Sequence, residues 1–180
     1  MKWLIIVLGI FSSVEAMAFC WNEAASAYGH DPRLLAAIAE QESHYRPDAI
    51  GPVSKNGGRA YGLMQIFSSE LPELAKRGIS KEDLLNDSCL NVHEGARILA
   101  QKIRIVGPTW KAVGAYYAGE RGSMKEMEWY VKQVKTRYLV LLDKPLPQFG
   151  YTAGKYKPSA IANANEVITL RSPLVITNEP

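Results

Sequence analysis

Between residues 19 and 142 the chain carries a series of helix-period apolar stripes, each bounded by residues that start or stop a helix. Asp31-Pro32 is the clearest start signal. The aspartate can accept from a free backbone N–H, and proline fits the first helical position, where its missing N–H costs nothing. A helix is predicted from Pro32 to about His44, stopping before Pro47. Phe19 to Tyr28 reads as a shorter helix ending near Gly29. Ser68 or Ser69 caps a short helix that ends at Gly78, and Ser80-x-x-Asp83 is a capping box for another. Asn86 to Val106 puts Val92, Ala96, Leu99 and Ile103 on one stripe, and Gly107-Pro108 stops it. Thr109 caps a helix running through Trp110, Val113 and Tyr116 to Gly119. The last, Ser123 to Leu142, directs Met127, Val131, Val134, Tyr138 and Leu142 inward. Only residues 50 to 61, with Gly51, Pro52 and Asn56-Gly57-Gly58, resist a helix; they read as a loop or small irregular hairpin. The expected class is α+β, predominantly α-helical.

The two ends differ from this middle. Residues 1 to 18 have the form of an export signal rather than an anchor: Lys2, the apolar run from Trp3 to Phe11, then small residues ending Ala16-Met17-Ala18. The run is too short to span a bilayer comfortably. Phe19 ahead of Cys20 argues against lipoprotein processing. Residues 144 to 180 contain five prolines and no helical stripe, and read as an extended or disordered tail, with one strand-like run, "EVITLRSPLVI". The expected organisation is a signal over 1–18, one domain over 19–143 and a tail over 144–180.

Export gives the two cysteines a meaning. An even count in an oxidising compartment suggests one disulfide between Cys20 and Cys89, rather than two buried thiols. It would close a loop of nearly seventy residues, worth roughly 4 kcal/mol in the loop-entropy account. The formal charge is +3, and removing Lys2 and Glu15 with the signal leaves it at +3. That mild excess suits an anionic polymer, but no Lys/Arg cluster points to nucleic acid. His30, His44 and His93 lack metal-ligand spacing, so no metal is expected. No nucleophile-elbow or phosphate-loop pattern is present.

Chemistry concentrates in two short stretches. In the helix from Pro32, Leu35, Ile38, Ala39 and Glu42 share one face. A carboxyl on an apolar face is costly to ionise, and near a helix C-terminus it also faces the negative end of the dipole. Both effects raise its pKa and suit a general acid. The plainer alternative is a half-exposed glutamate paired with Arg46. The second stretch is "YGLMQI", residues 61 to 66, where Gly62 permits close backbone approach and Gln65 offers hydrogen bonds without charge. Such a side chain suits recognition of an amide or a sugar hydroxyl; alternatively, Met64 and Ile66 are core and Gln65 is a surface residue.

"AIAEQES", "GLMQI", "CLNVHEGARIL", "AVGAYYAG" and "YVKQV" occur in this order. The succession resembles the lytic transglycosylases of the goose-lysozyme-like group. It is most similar to the small disulfide-bearing members that accompany conjugation, pilus and secretion machines. The resemblance implies a lysozyme-like fold, no cofactor, a periplasmic location, glycan strands of peptidoglycan as substrate, and subunits of such a machine as partners. It also assigns residues. Glu42 matches the single catalytic glutamate and Ser43 the serine beside it. Met64, Gln65, Tyr116 and Tyr130 match cleft positions, Asn91 and Gly95 match structural ones, and Cys20 and Cys89 match the subgroup's disulfide. Tyr117 stands where the family usually has a substrate-binding asparagine; an aromatic there can stack on a sugar.

The implied chemistry uses one carboxyl twice. Glu42 protonates the glycosidic oxygen, the substrate's acetamido oxygen supports the cationic centre, and Glu42 then takes the proton of the muramyl C6 hydroxyl, which closes onto C1. An ordinary two-carboxylate glycosidase needs a second acid at a defined separation. Residues 50 to 67 contain no Asp or Glu, and Asp48 and Glu70 only flank them. A hydrolytic lysozyme on the same fold, or a non-catalytic glycan- or machine-binding module, are the alternatives.

Overall fold

The computed structural model describes residues 19–147. The export signal expected over 1–18, and the tail from 148 with its strand-like run, lie outside the described residues. Among the described residues there are seven α-helices and one two-stranded sheet: α1 (Phe19–Tyr28), α2 (Pro32–Ser43), β1 (Ala60–Tyr61), β2 (Ile66–Phe67), α3 (Leu71–Lys76), α4 (Lys81–Asn86), α5 (Ser88–Val106), α6 (Trp110–Ala118) and α7 (Met124–Leu142). A 3-10 turn over Ser68–Glu70 leads into α3. The predominantly helical class with a small β region is as the sequence suggests. Among the described residues no helix is long and apolar enough to cross a membrane.

Asp31 and the Ser80 box act as their chemistry dictates, whereas α3 starts after Glu70 rather than at a Ser68 or Ser69 cap, and Thr109, at the N-cap of α6, makes no side-chain cap bond. Asp31 accepts from the Arg33 N–H at 2.7 Å, ahead of Pro32. Ser80 and Asp83 complete the reciprocal capping box. The start of α5 and the buried face of α7 also differ from the sequence reading. The helix expected from Asn86 begins at Ser88, because Asp87 accepts from the Leu90 N–H at 3.0 Å and caps it, leaving Asn86 to end α4. Along α7 the buried set is Met127, Tyr130, Val134 and Leu141, while Leu142 is exposed. Two successive four-residue steps from Val134, through Tyr138 to Leu142, overshoot two turns of a 3.6-residue helix, so Leu142 leaves the core face and Leu141 takes its place.

Helix α5 is the centre of the domain. Every residue from 88 to 100 is buried, and α1, α4 and α6 pack around it. A helix enclosed on all sides must satisfy its polar side chains internally. Glu94, fully buried, receives both guanidinium N–H groups of Arg77 (2.8 and 2.6 Å) and the Arg97 Nε–H (2.7 Å). Arg97 in turn reaches Glu70 at 3.1 Å. The Cys20–Cys89 disulfide, Cα atoms 5.4 Å apart, fastens α1 to the first turn of α5.

The second layer is α2 lying against α7, with α6 packed beside α7. Packing continues past Asp143: the Trp21 indole donates to the Pro147 carbonyl at 3.0 Å, and Leu146 rests on the core. The glycine-bearing region forms the hairpin left open by the sequence. Its strands pair antiparallel with Ala60 opposite Phe67 and Tyr61 opposite Ile66, and Ile50 bridges to Tyr61.

Candidate active site

Glu42 is the penultimate residue of α2. The apolar spacing of that helix turns Leu35, Ile38 and Ala39 fully inward, and Glu42 follows on the same face, partly buried. Burial raises its carboxyl pKa from 4.5 to about 7, against the smaller lowering effect of a hydrogen bond from Tyr130. The alternative pairing with Arg46 is not made: Arg46 sends its Nε–H to the Ser43 carbonyl at 3.0 Å.

Two helices bring aromatic rings to this carboxyl. The Tyr130 hydroxyl, on α7, donates to Glu42 Oε1. Tyr130 is fully buried, and desolvation, then the neighbouring Glu42 charge, hold its phenol well above the usual range. It is therefore a hydrogen-bond donor at all working pH. Tyr116, on α6, donates to the Met64 carbonyl at 2.8 Å. Burial raises its pKa well above normal, and the Glu42 charge adds to that. The Tyr117 ring lies parallel to that of Tyr130, centroids 4.8 Å apart and planes 6° apart.

The "YGLMQI" stretch faces the same region, and the structure gives its side chains internal tasks. Gln65 has a left-handed backbone, φ 50°, unusual for a residue with a Cβ. Its amide NH2 donates to the Ala49 carbonyl (3.1 Å) and the Gly62 carbonyl (2.8 Å). Both donors thus clamp the loop, and only Oε1 is left to a ligand. Met64 is fully buried, with its side chain where a Cβ on Gly95 would meet it at 2.7 Å. Ser43, also buried, donates to the Leu63 or Ala39 carbonyl (2.8 and 3.2 Å) and accepts from the Arg46 N–H at 3.1 Å. The resemblance places Ser43 beside the acid and Met64 and Gln65 at cleft positions. Their geometry here is that of residues holding the loop against the end of α2.

Asn91 anchors that loop from below. It is fully buried, donates to the Tyr61 and Leu84 carbonyls at 3.0 Å each and accepts from the Met64 N–H at 2.7 Å. Gly62, at φ 76°, sits against it; a Cβ there would strike the Asn91 amide and come within 2.6 Å of the Leu84 carbonyl. Of the two carboxylates flanking the loop, Asp48 is exposed and Glu70 is paired with Arg97 at 3.1 Å.

Sequence reasoning did not single out Trp129. It is half exposed and lies 5.9 Å from Tyr117, ring to ring. The one available signal was its place beside Tyr130, which says nothing of the neighbouring helix. The Glu94 ion cluster was missed for the same reason.

The arrangement is a near-neutral carboxylic acid gripped by a phenol, at the foot of an aromatic wall. Comparison with known proteins gives it a context. Residues 19–139 match the model of the Transglycosylase SLT domain. The chain is 41% identical over 135 residues to "Invasion protein IagB" of Salmonella typhimurium, covering 74% of this chain and 84% of that one. It is 36% identical over 140 residues to "Protein IpgF" of Shigella flexneri, covering 77% and 91%. The fold superposes on an inactive glutamate-to-glutamine mutant of the lytic transglycosylase Slt from Pseudomonas aeruginosa, with TM-score 0.55 and 25% identity. That match covers 69% of this chain and 24% of the much longer enzyme. This chain belongs to the transglycosylase SLT domain family, the peptidoglycan lytic transglycosylases.

Proposed function

We propose that the protein cleaves the β-1,4 bond between N-acetylmuramic acid and N-acetylglucosamine, leaving a 1,6-anhydro end, with Glu42 as its acid and base. The observation that carries this is the partly buried carboxyl of Glu42, pKa about 7, with Tyr130 donating to Oε1. With Oε1 engaged, the proton of the neutral acid is placed on Oε2, free for the glycosidic oxygen. Donation breaks the C1–O bond as the substrate's acetamido oxygen supports C1. The now ionised carboxylate, stabilised by Tyr130, accepts the proton of the C6 hydroxyl as that oxygen bonds to C1. The proton returns to Glu42, and no water is consumed. The pairing of Glu70 with Arg97, and the absence of Asp and Glu from residues 50 to 67, favour this one-carboxyl route over a two-carboxylate hydrolysis. Inactivation of the Slt relative by a glutamate-to-glutamine change is consistent with it.

In this reading Tyr116 and Tyr117 contribute to the cleft, while Ser43, Met64, Gln65 and Tyr130 position the loop and the acid. The domain works on the wall outside the cytoplasm, in the periplasm after removal of residues 1–18. It opens glycan locally for a secretion, conjugation or pilus machine, a role supported by a relative named as an invasion protein. The test is digestion of purified peptidoglycan with the mature chain, with soluble products identified by mass. Anhydro-ended muropeptides, absent with Glu42→Gln, are expected. Products heavier by one water would make the enzyme a hydrolytic muramidase and overturn the lyase assignment.

A further inference from the structure

We propose that Tyr117 and Trp129 together form a sugar-stacking platform, which binds a pyranose ring of the glycan strand beside Glu42. The proposal rests on the glycan-cleaving reading of the site. It adds a residue, Trp129, and a subsite which that reading does not require.

The platform is built by close approach of two helices. A Cβ on Gly114 of α6 would come within 2.7 Å of the Met127 Cβ on α7. The missing side chain lets the backbones draw together at this point. One turn further along each helix, three residues on, stand Tyr117 and Tyr130, and their rings stack at 4.8 Å. Tyr130 is thereby sealed from solvent, while Tyr117 keeps 51% of its surface exposed. One face of Tyr117 is occupied by Tyr130, so its free surface is on the other side. Trp129, 50% exposed, meets Tyr117 at an interplanar angle of 51°. The two rings make an open, bent aromatic wall.

Three features commit this wall to a carbohydrate. It is continuous with the acid: the outer ring lies parallel to Tyr130, whose hydroxyl holds Glu42. It consists of flat apolar faces. A β-1,4-linked N-acetylhexosamine has equatorial substituents, so its ring faces carry axial C–H groups that pack on such surfaces. Finally, the two rings are both half exposed and in contact, so together they offer one surface open to a ligand.

The test separates binding from chemistry. The mature full chain carrying Glu42→Gln is titrated with a soluble β-1,4-linked N-acetylglucosamine oligosaccharide, by calorimetry and tryptophan fluorescence. Trp21 is fully buried and Trp110 partly so, hence the exposed Trp129 should dominate any ligand-induced change. Adding Trp129→Ala or Tyr117→Ala should weaken binding about tenfold, equivalent to about 1.4 kcal/mol. Trp129→Phe, which keeps a ring, should recover most of it. In the chain with Glu42 intact, Trp129→Ala should raise KM on solubilised glycan strands by about the same factor and leave kcat within about twofold, as loss of uniform binding does. Oligosaccharide affinity and KM unchanged in Trp129→Ala would overturn the proposal and leave the pair as a protein-docking surface. Failure of the parent to release anhydro products, with binding still lost in Trp129→Ala, would defeat the reaction and sustain the platform.

Discussion

Tyr130 and Glu42, 88 residues apart in the chain, meet through a hydrogen bond from phenol to carboxyl. The bond favours the ionised carboxylate and so opposes the effect of burial, which nevertheless wins and brings the pKa to about 7. Tyr130→Phe removes the opposing effect. The alkaline limb of the pH–activity profile should move above its wild-type position near pH 7, and kcat should fall about tenfold for loss of a charge-assisted bond. A profile that keeps its midpoint would mean that this bond does not tune the acid.

Glu42 also links activity to stability. Its folded pKa lies above the unfolded value, so the folded state holds the extra proton between about pH 4.5 and 7. Stability from this group is therefore fully present below pH 4.5 and is lost as pH rises through 7, by about 3 kcal/mol at most. Glu42→Gln should leave thermal stability at pH 4 nearly unchanged and raise it at pH 8, while abolishing cleavage. Equal melting temperatures at pH 8 would count against a desolvated carboxyl.

Asn91 is predicted to matter for folding rather than chemistry. Asn91→Ala strands the Met64 N–H and takes a donor from each of two carbonyls. The expected cost is about 3 kcal/mol or more in chemical denaturation. Gly62→Ala should be at least as damaging, since it adds a Cβ both at φ 76° and against Leu84. Unfolding curves matching the wild type would remove the loop anchor.

The Cys20–Cys89 bond closes a sequence separation of 69 residues. Replacing both cysteines by serine should cost about 4 kcal/mol by the loop-entropy estimate. Glu42, Tyr116 and Tyr130 stand on α2, α6 and α7, not on the two helices that the disulfide joins. Catalysis by protein that remains folded should therefore be unchanged, and the loss should appear only as a lowered melting temperature.

The order and type of most elements could be read directly from sequence. Asp31-Pro32, Ser80-x-x-Asp83 and Gly107-Pro108 act within a few residues of themselves, so their consequences do not depend on the rest of the fold. The position of Glu42 on the core face was legible for the same reason, being fixed by the 3.6-residue period. The start of α5 lies two residues later than the sequence reading because Asp87, in extended backbone, caps it through the Leu90 N–H.

What the residues around Glu42 do was not legible in this way. Gln65 is uncharged and polar in any reading, but only the folded loop brings Ala49 and Gly62 within reach of its amide. Trp129 is one of several aromatics until Gly114 lets α6 close on α7 and sets Tyr117 beside it. The sequence alone determined the helices, the buried face and the acid it carries, because period and capping are local. Tertiary structure alone decided which phenol grips that acid, which polar groups are used up inside the fold and which rings remain open. Those outcomes depend on how closely helices far apart in the chain approach one another, and no local pattern encodes that distance.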